Sequence, residues 1–521
     1  MPMPTSPLSA DRVAATAASL GMDLSDAEAE RFAERVNEEL PGYAALDGFA
    51  GDEADRDVAL RDVRYDPGPD DDPLNAFITR CTVEGADDGP LSGLDVAVKD
   101  NVALAGVPLT CGSRVFEGVV PGSNASVADR LLDAGARIVG KTNMDELAYG
   151  PTSETSQFGP VRNPADEARV AGGSSSGSAA AVAAGGGSGS YSGSAAVDAA
   201  LGSDTGGSVR IPASFCGVVG FKPTWGAVPR DGFVDLAYTL DHIGPLARDV
   251  ETAALVFDAV AGYDPRDPSS ALAREIPVGE CAASLSDAPE VGDLSLGVPE
   301  ELFADHVSAP VRERVEGVVK SLAAAGAEIE RVSLPTVPES VYVWNAITNT
   351  ELAAAFRRYG IPIERPGPFD SVRTDGMAAA IRGSGVGFGD VVREKTILGS
   401  HLLDRYGGRH YVRARNACAR LREEFAAALD GRDALVSPTM PVVAPELGAW
   451  QAHSYGASDD GIDVPLAYNT RPANLAGVPA ISVPAGEVDG LPIGVQFVGE
   501  RSDDAHLLRV ARTFERFIEG S

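Results

Sequence analysis

Three short segments gather the residues that could carry chemistry. Val96-Ala97-Val98-Lys99-Asp100-Asn101 puts a lysine at the end of an apolar run. Gly172-Gly173-Ser174-Ser175-Ser176-Gly177-Ser178 is rich in glycine and serine. So is Gly202-Ser203-Asp204-Thr205-Gly206-Gly207-Ser208-Val209-Arg210-Ile211-Pro212, which adds an acid and an arginine. A serine hydroxyl becomes a nucleophile once a base takes its proton. The six histidines (242, 306, 401, 410, 453 and 506) are dispersed, and none lies in a serine-rich motif. A lysine serves as the base if desolvation lowers its pKa enough to populate the neutral amine. Lys99, closing an apolar strand, suits that role. The turn Thr205-Gly206-Gly207-Ser208 suits backbone N–H groups aimed at a developing oxyanion, because glycine permits the geometry and the close approach of substrate. The plainer reading of such tracts is a loop or linker. Neither glycine–serine stretch carries the Gly-Lys-Ser/Thr of a phosphate-cradling loop.

The elements that must position these residues follow from pattern. Leu94, Val96 and Val98 alternate with Asp95 and Ala97 as a strand does. A helix is expected over Ser126–Asp133, stopped by Gly135, then a short strand Arg137–Val139. Residues 265–435 read as mostly helical, a cap or side lobe, with helices at Pro310–Ala325, Ala346–Arg358 and Arg409–Leu429. Strands return at Ile481–Val483 and Ile493–Phe497 around Asp489-Gly490, and a last helix covers Asp504–Phe517. At the front, Ser25 and Glu28 have capping-box spacing before a helix that should end near Pro41. Phe32, Val36 and Leu40 give that helix an apolar stripe. The stripe is expected to dock on the chain's own core, with a homodimer contact as the alternative. The run from Asp66 to Pro73 is a linker. The expected organisation is an N-terminal helical extension over 1–70 and an α/β catalytic domain over 75–521.

Composition bounds the function. Among 521 residues, 76 are acidic and 43 basic, giving a net charge of −33. Phosphate binding draws on clustered lysine and arginine, so a nucleic-acid-binding surface is not expected. Dispersed acid of this kind suits a high-salt cytosol. The five cysteines are scattered and form no CxxC pair, so neither a disulfide framework nor a zinc site is suggested. Val170–Val197 is uncharged but built of Gly, Ser and Ala, which excludes a membrane span. Met1–Leu20 lacks the regions of a signal peptide. A soluble, cytoplasmic protein is expected. Only five of the basic residues are lysines (99, 141, 222, 320 and 395), and the first three each fall within a dense motif.

Taken in order, Lys99-Asp100-Asn101, Gly140-Lys141-Thr142-Asn143-Met144-Asp145-Glu146, the two serine segments, Gly217-Val218-Val219-Gly220-Phe221-Lys222-Pro223-Thr224 and Asn474-Leu475-Ala476-Gly477-Val478-Pro479-Ala480 resemble the amidase signature family. The resemblance implies a mixed central β-sheet flanked by helices, an α/β/α sandwich. It implies a Ser–cisSer–Lys triad: Ser208 acylated, Ser174 bridging after a cis Gly173–Ser174 peptide, Lys99 the terminal base. It further implies an oxyanion hole from Thr205, Gly206, Gly207 and Ser208, with Ser175, Asp204 and Arg210 in support. Leu147, Ala148 and Thr205 would line the substrate pocket. Lys141 and Lys222 read as structural. No metal or cofactor is called for. Ser176 stands where the family commonly has glycine. Ser174 and Ser208 are 34 residues apart, a spacing lengthened by the tract Gly185–Ser194, which is expected to loop outward because surface insertions are thermodynamically cheap.

Two branches of the family compete. Thr142-Asn143-Met144-Asp145-Glu146 and Arg169-Val170 resemble the glutaminase subunit, the A component, of glutamyl/aspartyl-tRNA amidotransferases. Gly106-Val107-Pro108, Arg210-Ile211-Pro212, Asp241-His242-Ile243-Gly244-Pro245 and the helical extension resemble stand-alone amidases of nitrile-degrading type. Glu394-Lys395 and Ala467 stand where the glutaminase subunit would hold the charged ends of glutamine. The sequence therefore leads to a stand-alone amidase that hydrolyses a carboxamide to acid and ammonia. Its expected partner is a small-molecule amide, with no nucleic acid bound directly, no membrane, and a homodimer among the assemblies open to it. The alternatives are the glutaminase subunit, and a non-catalytic scaffold that keeps the fold. The intact Lys99, Ser174 and Ser208 argue against the scaffold.

Overall fold

The strand that ends at Lys99 is apolar on both faces, and this decides its place. Val96 and Val98 belong to one core cluster and Ala97, between them, to another. Such a strand lies inside a sheet covered on both sides. The computed structural model describes residues 7–44, 61–185, 196–361, 363, 369–383, 387–449 and 466–520. Its strands are β1 (Val63–Tyr65), β2 (Phe77–Val83), β3 (Asp95–Lys99), β4 (Arg137–Thr142), β5 (Arg162–Asn163), β6 (Asp166–Val170), β7 (Ala199–Asp204), β8 (Val219–Lys222), β9 (His242–Ala247), β10 (Ser295–Pro299), β11 (Glu328–Val332), β12 (Ala434–Pro438), β13 (Ala480–Val488) and β14 (Leu491–Val498). Twelve of them form one mixed sheet in the order β1-β2-β4-β3-β7-β9-β8-β13-β14-β12-β10-β11, and β5 pairs with β6 apart from it. β3 runs parallel to both its neighbours, β4 and β7.

Helices cover both faces. Ser126–Asp133, Val250–Val260 and Asp504–Glu519 contribute Leu131, Phe257 and Phe514 to the cluster on one side. Ser176–Ala184 and Arg210–Cys216 contribute Ala179, Ala180 and Ala213 to the cluster on the other. This is the α/β/α arrangement expected from the sequence. The β13–β14 hairpin turns at Asp489-Gly490, both at positive φ (54° and 78°), as a two-residue turn matched to strand twist requires.

Four expectations shift. The stretch 265–435 is mostly helical, but it is not a lobe apart from the sheet. β10, the helix Ala309–Ala324 and β11 form a parallel strand–helix–strand unit at the sheet edge, and Leu296 and Val298 lie in the main core. The strands β10 and β11 are only five residues long, so helical periodicity dominates the sequence there. The sheet also begins before the linker, because β1 already pairs with β2. The strand after Gly135 runs on to Thr142 and so takes in Lys141. At the front, Glu28 caps Ser25 as expected, at 2.9 Å to the backbone N–H and 2.6 Å to the hydroxyl. The helix Asp26–Ala44 continues past Pro41, at the loss of one intrahelical N–H bond. Asn37 exchanges two hydrogen bonds with the backbone of Leu8, at 2.7 and 2.9 Å. Ala29 and Ala33 are buried on this helix, whereas Val36 is 38% exposed. Among the described residues, no helix is long and apolar enough to cross a membrane. Residues 186–195, the core of the glycine–serine insertion, lie outside the described residues.

The helices Ser340–Arg357 and Asp390–Tyr406 pack together where Gly399 meets the first helix's backbone. A Cβ at Gly399 would fall 1.8 Å from the Asn349 carbonyl oxygen. Backbone on both sides leaves nothing to repack, so Gly399→Ala is expected to cost about 3 kcal/mol of unfolding free energy, measured by urea titration; a variant as stable as wild type would contradict this packing.

Candidate active site

Lys99 is completely buried at the end of β3. Its Nζ lies 2.8 Å from Ser174 Oγ, 3.0 Å from Ser175 Oγ and 2.8 Å from Ser203 Oγ. All three bonds go to hydroxyls. Burial pushes the amine's pKa down to about 7, against the more distant charges of Asp145, Asp204 and Asp241. The hydroxyl protons are not equivalent. Ser175 donates its own to the Ser203 carbonyl at 3.1 Å and accepts the Ser203 N–H at 3.1 Å. Ser203 Oγ also accepts from Asn101 Nδ2 at 3.3 Å. A neutral amine has two N–H donors and one lone pair. With the donors spent on Ser175 and Ser203, the lone pair is left for the Ser174 hydroxyl.

The other buried motif lysines are held differently. Lys141 pairs with Asp100 at 2.8 Å. Lys222 donates to the carbonyls of Pro223 at 3.0 Å and Val478 at 2.6 Å. Burial, with the Arg210 charge beside it, pushes Lys222 down to about 7 as well, but carbonyls have no proton to pass on. Gly135 to Thr142 has the spacing of a phosphate-cradling loop; it folds instead as strand β4, with its lysine committed to Asp100.

The Gly173–Ser174 peptide is cis. A Cβ at Gly173 would lie 1.9 Å from Asp145 Oδ2, so a larger residue would displace the segment. Asp145 is itself anchored by the Ser153 N–H at 3.0 Å and by Thr155, through its N–H at 3.2 Å and hydroxyl at 2.8 Å. The Ser175 N–H donates to the Ser208 carbonyl at 3.1 Å. That bond ties the two serine segments together across the 34-residue gap.

The loop leading to Ser208 is clamped from inside and outside. Inside, Asp204 accepts from the Gly207 N–H at 2.7 Å, the Val209 N–H at 3.2 Å, and Arg210 Nε and Nη2 at 3.0 Å each. Burial pushes the Asp204 carboxyl up, but the Arg210 charge and hydrogen bonds outweigh it and hold the group well below the usual range. Arg210 also reaches Gln496 at 2.6 Å and Asn474 at 2.7 Å. Outside, three consecutive carbonyls are held by side chains. Asn474 Nδ2 donates to Asp204 O at 2.9 Å, Trp344 Nε1 to Thr205 O at 2.8 Å and Thr470 Oγ1 to Gly206 O at 2.6 Å. In a trans peptide the C=O and the next N–H point opposite ways, so holding these carbonyls sets the N–H groups that follow.

Two expectations give way here. The Gly207 N–H is taken by Asp204, so it is not available to an oxyanion; Thr205, Gly206 and Ser208 remain as the candidate donors. The Thr205 side chain does not line the pocket, because its hydroxyl donates to Asp241 at 2.5 Å. A small cavity opens beside Ser208, with Ala148, Gly206, Trp344, Ala467 and Arg471 in its wall. Leu147 lines a different, larger cavity of about 350 Å³. Lys395 donates to Glu394 at 2.6 Å, and neither belongs to the wall of the small cavity. Sequence reasoning missed four residues of the site: Ser203, Asn101, Trp344 and Thr470. Ser203 and Asn101 stand inside the glycine–serine and lysine motifs, whereas Trp344 and Thr470 offer no local signal. His242 donates Nδ1–H to Asp204 O at 3.1 Å, and burial keeps it neutral. Among the described residues no group of three or more His, Cys, Asp or Glu side chains could hold a metal ion.

The family model described as Amidase matches residues 76–508. The A component of a glutamyl-tRNA(Gln) amidotransferase from Natronomonas pharaonis is 46% identical over 440 residues, 84% of this chain and 98% of the relative. The crystal structure of the corresponding A component of a glutamyl-tRNA(Gln) amidotransferase from Thermotoga maritima superposes with a TM-score of 0.68 at 36% identity, covering 85% of this chain and 88% of that one. A bacterial aryl acylamidase of the amidase signature family shares the fold, with a TM-score of 0.68 at 22% identity over 99% of this chain and 97% of its own. These findings overturn the expectation of a free small-molecule amide and no nucleic acid as partners. The relatives matched over nearly their whole length are subunits of an enzyme named for a tRNA. Net charge speaks only for what this chain's own surface attracts, which says nothing about the assembly a subunit serves.

Where the unfolded chain keeps Lys99 charged and the fold keeps it neutral, the unfolded state binds more protons. Stability therefore rises with pH from about 7 toward the ordinary lysine value of 10.5. In urea titrations, wild type should gain on Lys99→Met by on the order of 1.4 kcal/mol per pH unit in that window; a difference that does not change with pH would show that Lys99 stays charged.

Proposed function

The chain belongs to the amidase signature family, and from that premise we propose that it works as the glutaminase subunit of a tRNA-dependent amidotransferase, hydrolysing the amide of glutamine to release ammonia for a tRNA-linked acceptor. The chemistry rests on one observation, a fully buried Lys99 whose hydrogen bonds all go to serine hydroxyls. The choice of a glutaminase subunit over a stand-alone amidase rests on 46% identity that spans 98% of the relative. Of the features that favour the stand-alone branch, Ile211 and His242 are buried parts of the loop support.

Ser208 attacks the amide carbonyl. Its proton passes to Ser174 as Ser174 gives its own to the neutral Lys99 amine. The developing oxyanion is met by N–H groups among Thr205, Gly206 and Ser208. The same relay run backwards delivers the proton to the leaving nitrogen. The C–N bond breaks, ammonia departs, and the acyl group stays on Ser208. Water then enters, loses a proton to the relay and releases glutamate and free Ser208. Lysine is needed at position 99 because arginine does not give up its proton near neutral pH. The acidic excess, with a relative in Natronomonas pharaonis, supports work in a saline cytosol.

Ammonia release from glutamine, assayed at high salt with partner subunits and glutamyl-tRNA, is the test. Ser208→Ala should abolish it. Lys99→Arg should be as inactive as Lys99→Ala, each down roughly a thousandfold or more. The pH profile of kcat/KM should fall about tenfold per unit below about 7, where Lys99 is protonated. Substantial activity in Lys99→Arg would refute the base role, and hydrolysis of propionamide by the chain alone with none of glutamine would refute the glutaminase reading.

A further inference from the structure

The whole-chain charge of −33 hides one stretch of opposite sign. Between Asp404 and Glu423 stand six arginines (405, 409, 413, 415, 420 and 422) and no acid. Arg409, Arg413 and Arg420 are spaced four and seven positions apart, which puts them on one face of the helix Arg409–Leu429 over about 16 Å. These three, and Arg405 before them, are exposed. Among the described residues none of the four makes an ion pair, although arginines on either side do: Arg393 pairs with Asp390, and Arg432 with Glu330. Glu424, one turn past Arg420, accepts instead from the Thr336 N–H at 3.0 Å and hydroxyl at 2.6 Å. Arg413, Asn416 and Arg420 line a surface groove, together with Thr336, Glu339 and Glu424. Arg409 stands in the first turn of its helix, which has no acid there and a glycine as N-cap. The helix dipole disfavours cations at that end, so these arginines are placed against local preference, as functional residues often are.

A guanidinium fork binds phosphate oxygens in pairs, and the phosphates of a strand recur along a line as these arginines do. Exposed tyrosines flank the stripe. Tyr406 is 44% exposed, and Tyr342, the neighbour in sequence of the groove-lining Val343, is 76% exposed. An aromatic ring offers an unpaired base a face to stack on; an acidic protein segment would use the arginines and leave the rings idle. The net charge of −33 opposes a polyanion at long range. Salt shortens that range to about 3 Å at 1 M, while pairs in direct contact persist. We propose that the arginine face of the helix Arg409–Leu429 binds the phosphate backbone of an RNA, so that this chain holds RNA directly. That the RNA is the acceptor tRNA rests on the amidotransferase reading; the surface itself does not.

The probe is a fluorescently labelled tRNA transcript, titrated with the full chain at several potassium chloride concentrations that keep the chain folded by circular dichroism. Wild type should bind it, with an affinity that falls as salt rises. Arg413→Gln should lower the slope of log affinity against log salt by about 0.7 to 1. The triple variant R409Q/R413Q/R420Q should lower it by about 2 to 3 and weaken binding roughly tenfold or more at the lowest salt. R409K/R413K/R420K should keep most of the slope, because phosphate contacts follow charge, and this separates lost contacts from lost folding. Arg137→Gln, at an exposed arginine paired with Asp95, should bind within about twofold of wild type. A wild-type chain that binds no transcript would overturn the proposal, as would a triple glutamine variant with wild-type affinity and slope. Labelled polyglutamate of matched charge, bound as tightly as the transcript, would assign the surface to an acidic protein and overturn it too. The glutaminase reading is scored separately. If the assembled enzyme fails on glutamine while the slope difference stands, the glutaminase role falls and the RNA surface remains. If glutamine is hydrolysed but the triple glutamine variant binds the transcript as wild type does, the surface falls and the glutaminase role remains.

Discussion

A lysine enclosed by hydroxyls, with no carboxylate at hydrogen-bond distance, is the constraint on which the rest of this structure turns. Lys99 exchanges water for Ser174, Ser175 and Ser203. These satisfy its hydrogen bonds but do not neutralise its charge. A fall to about 7 weights the neutral amine by roughly 5 kcal/mol relative to a lysine in water. The same fold keeps Lys141 as an ion pair with Asp100 about one strand away. Lys141 and Lys99 differ in the chemistry of the partner, a carboxylate for one and hydroxyls for the other, since both residues are fully buried.

The second dependence is on distance along the chain. Ser208 sits on a loop whose carbonyls are held by Trp344, Thr470 and Asn474, and whose acid is held by Arg210, itself bonded to Gln496. The sheet makes this possible, because β13 lies beside β8 and β14 beside β13, which brings C-terminal residues to a segment that precedes them by 264 positions in the case of Arg210 and Asn474. One interior carboxylate, Asp204, gathers two backbone N–H groups and the Arg210 side chain. A buried network of this kind is costly to break by removing one member.

Lys99, Ser174 and Ser208 are legible in the sequence because each stands in a dense motif, and because a chain with five lysines makes a lysine on an apolar strand conspicuous. The supporting roles of Asp204 and Arg210 are legible too, since they lie within the Ser208 segment itself. Ser203 shares that segment but is silent: its contact with Lys99, 104 positions away, arises from the pairing of β3 with β7, and pairing of that range leaves no local pattern. Trp344 is hidden for the opposite reason. It lies on a helix whose periodicity says only that it packs, in a region that reads as a lobe away from the sheet. Glycine content and proximity assign the Gly207 N–H and the Thr205 side chain to substrate, whereas hydrogen-bond accounting assigns them to Asp204 and Asp241. Partners are the least legible feature, because net charge describes one surface and says nothing of an assembly.

The proposed chemistry turns on the protonation of one amine. Nitrogen-detected NMR of the lysine side chains, with Lys99→Met to assign the signal, reports it directly in a chain that has only five lysines. The predicted result is a Lys99 Nζ that titrates near 7, well separated from exposed Lys320. A Lys99 signal that stays charged to the ordinary lysine value of 10.5 would contradict the role of this residue as the base.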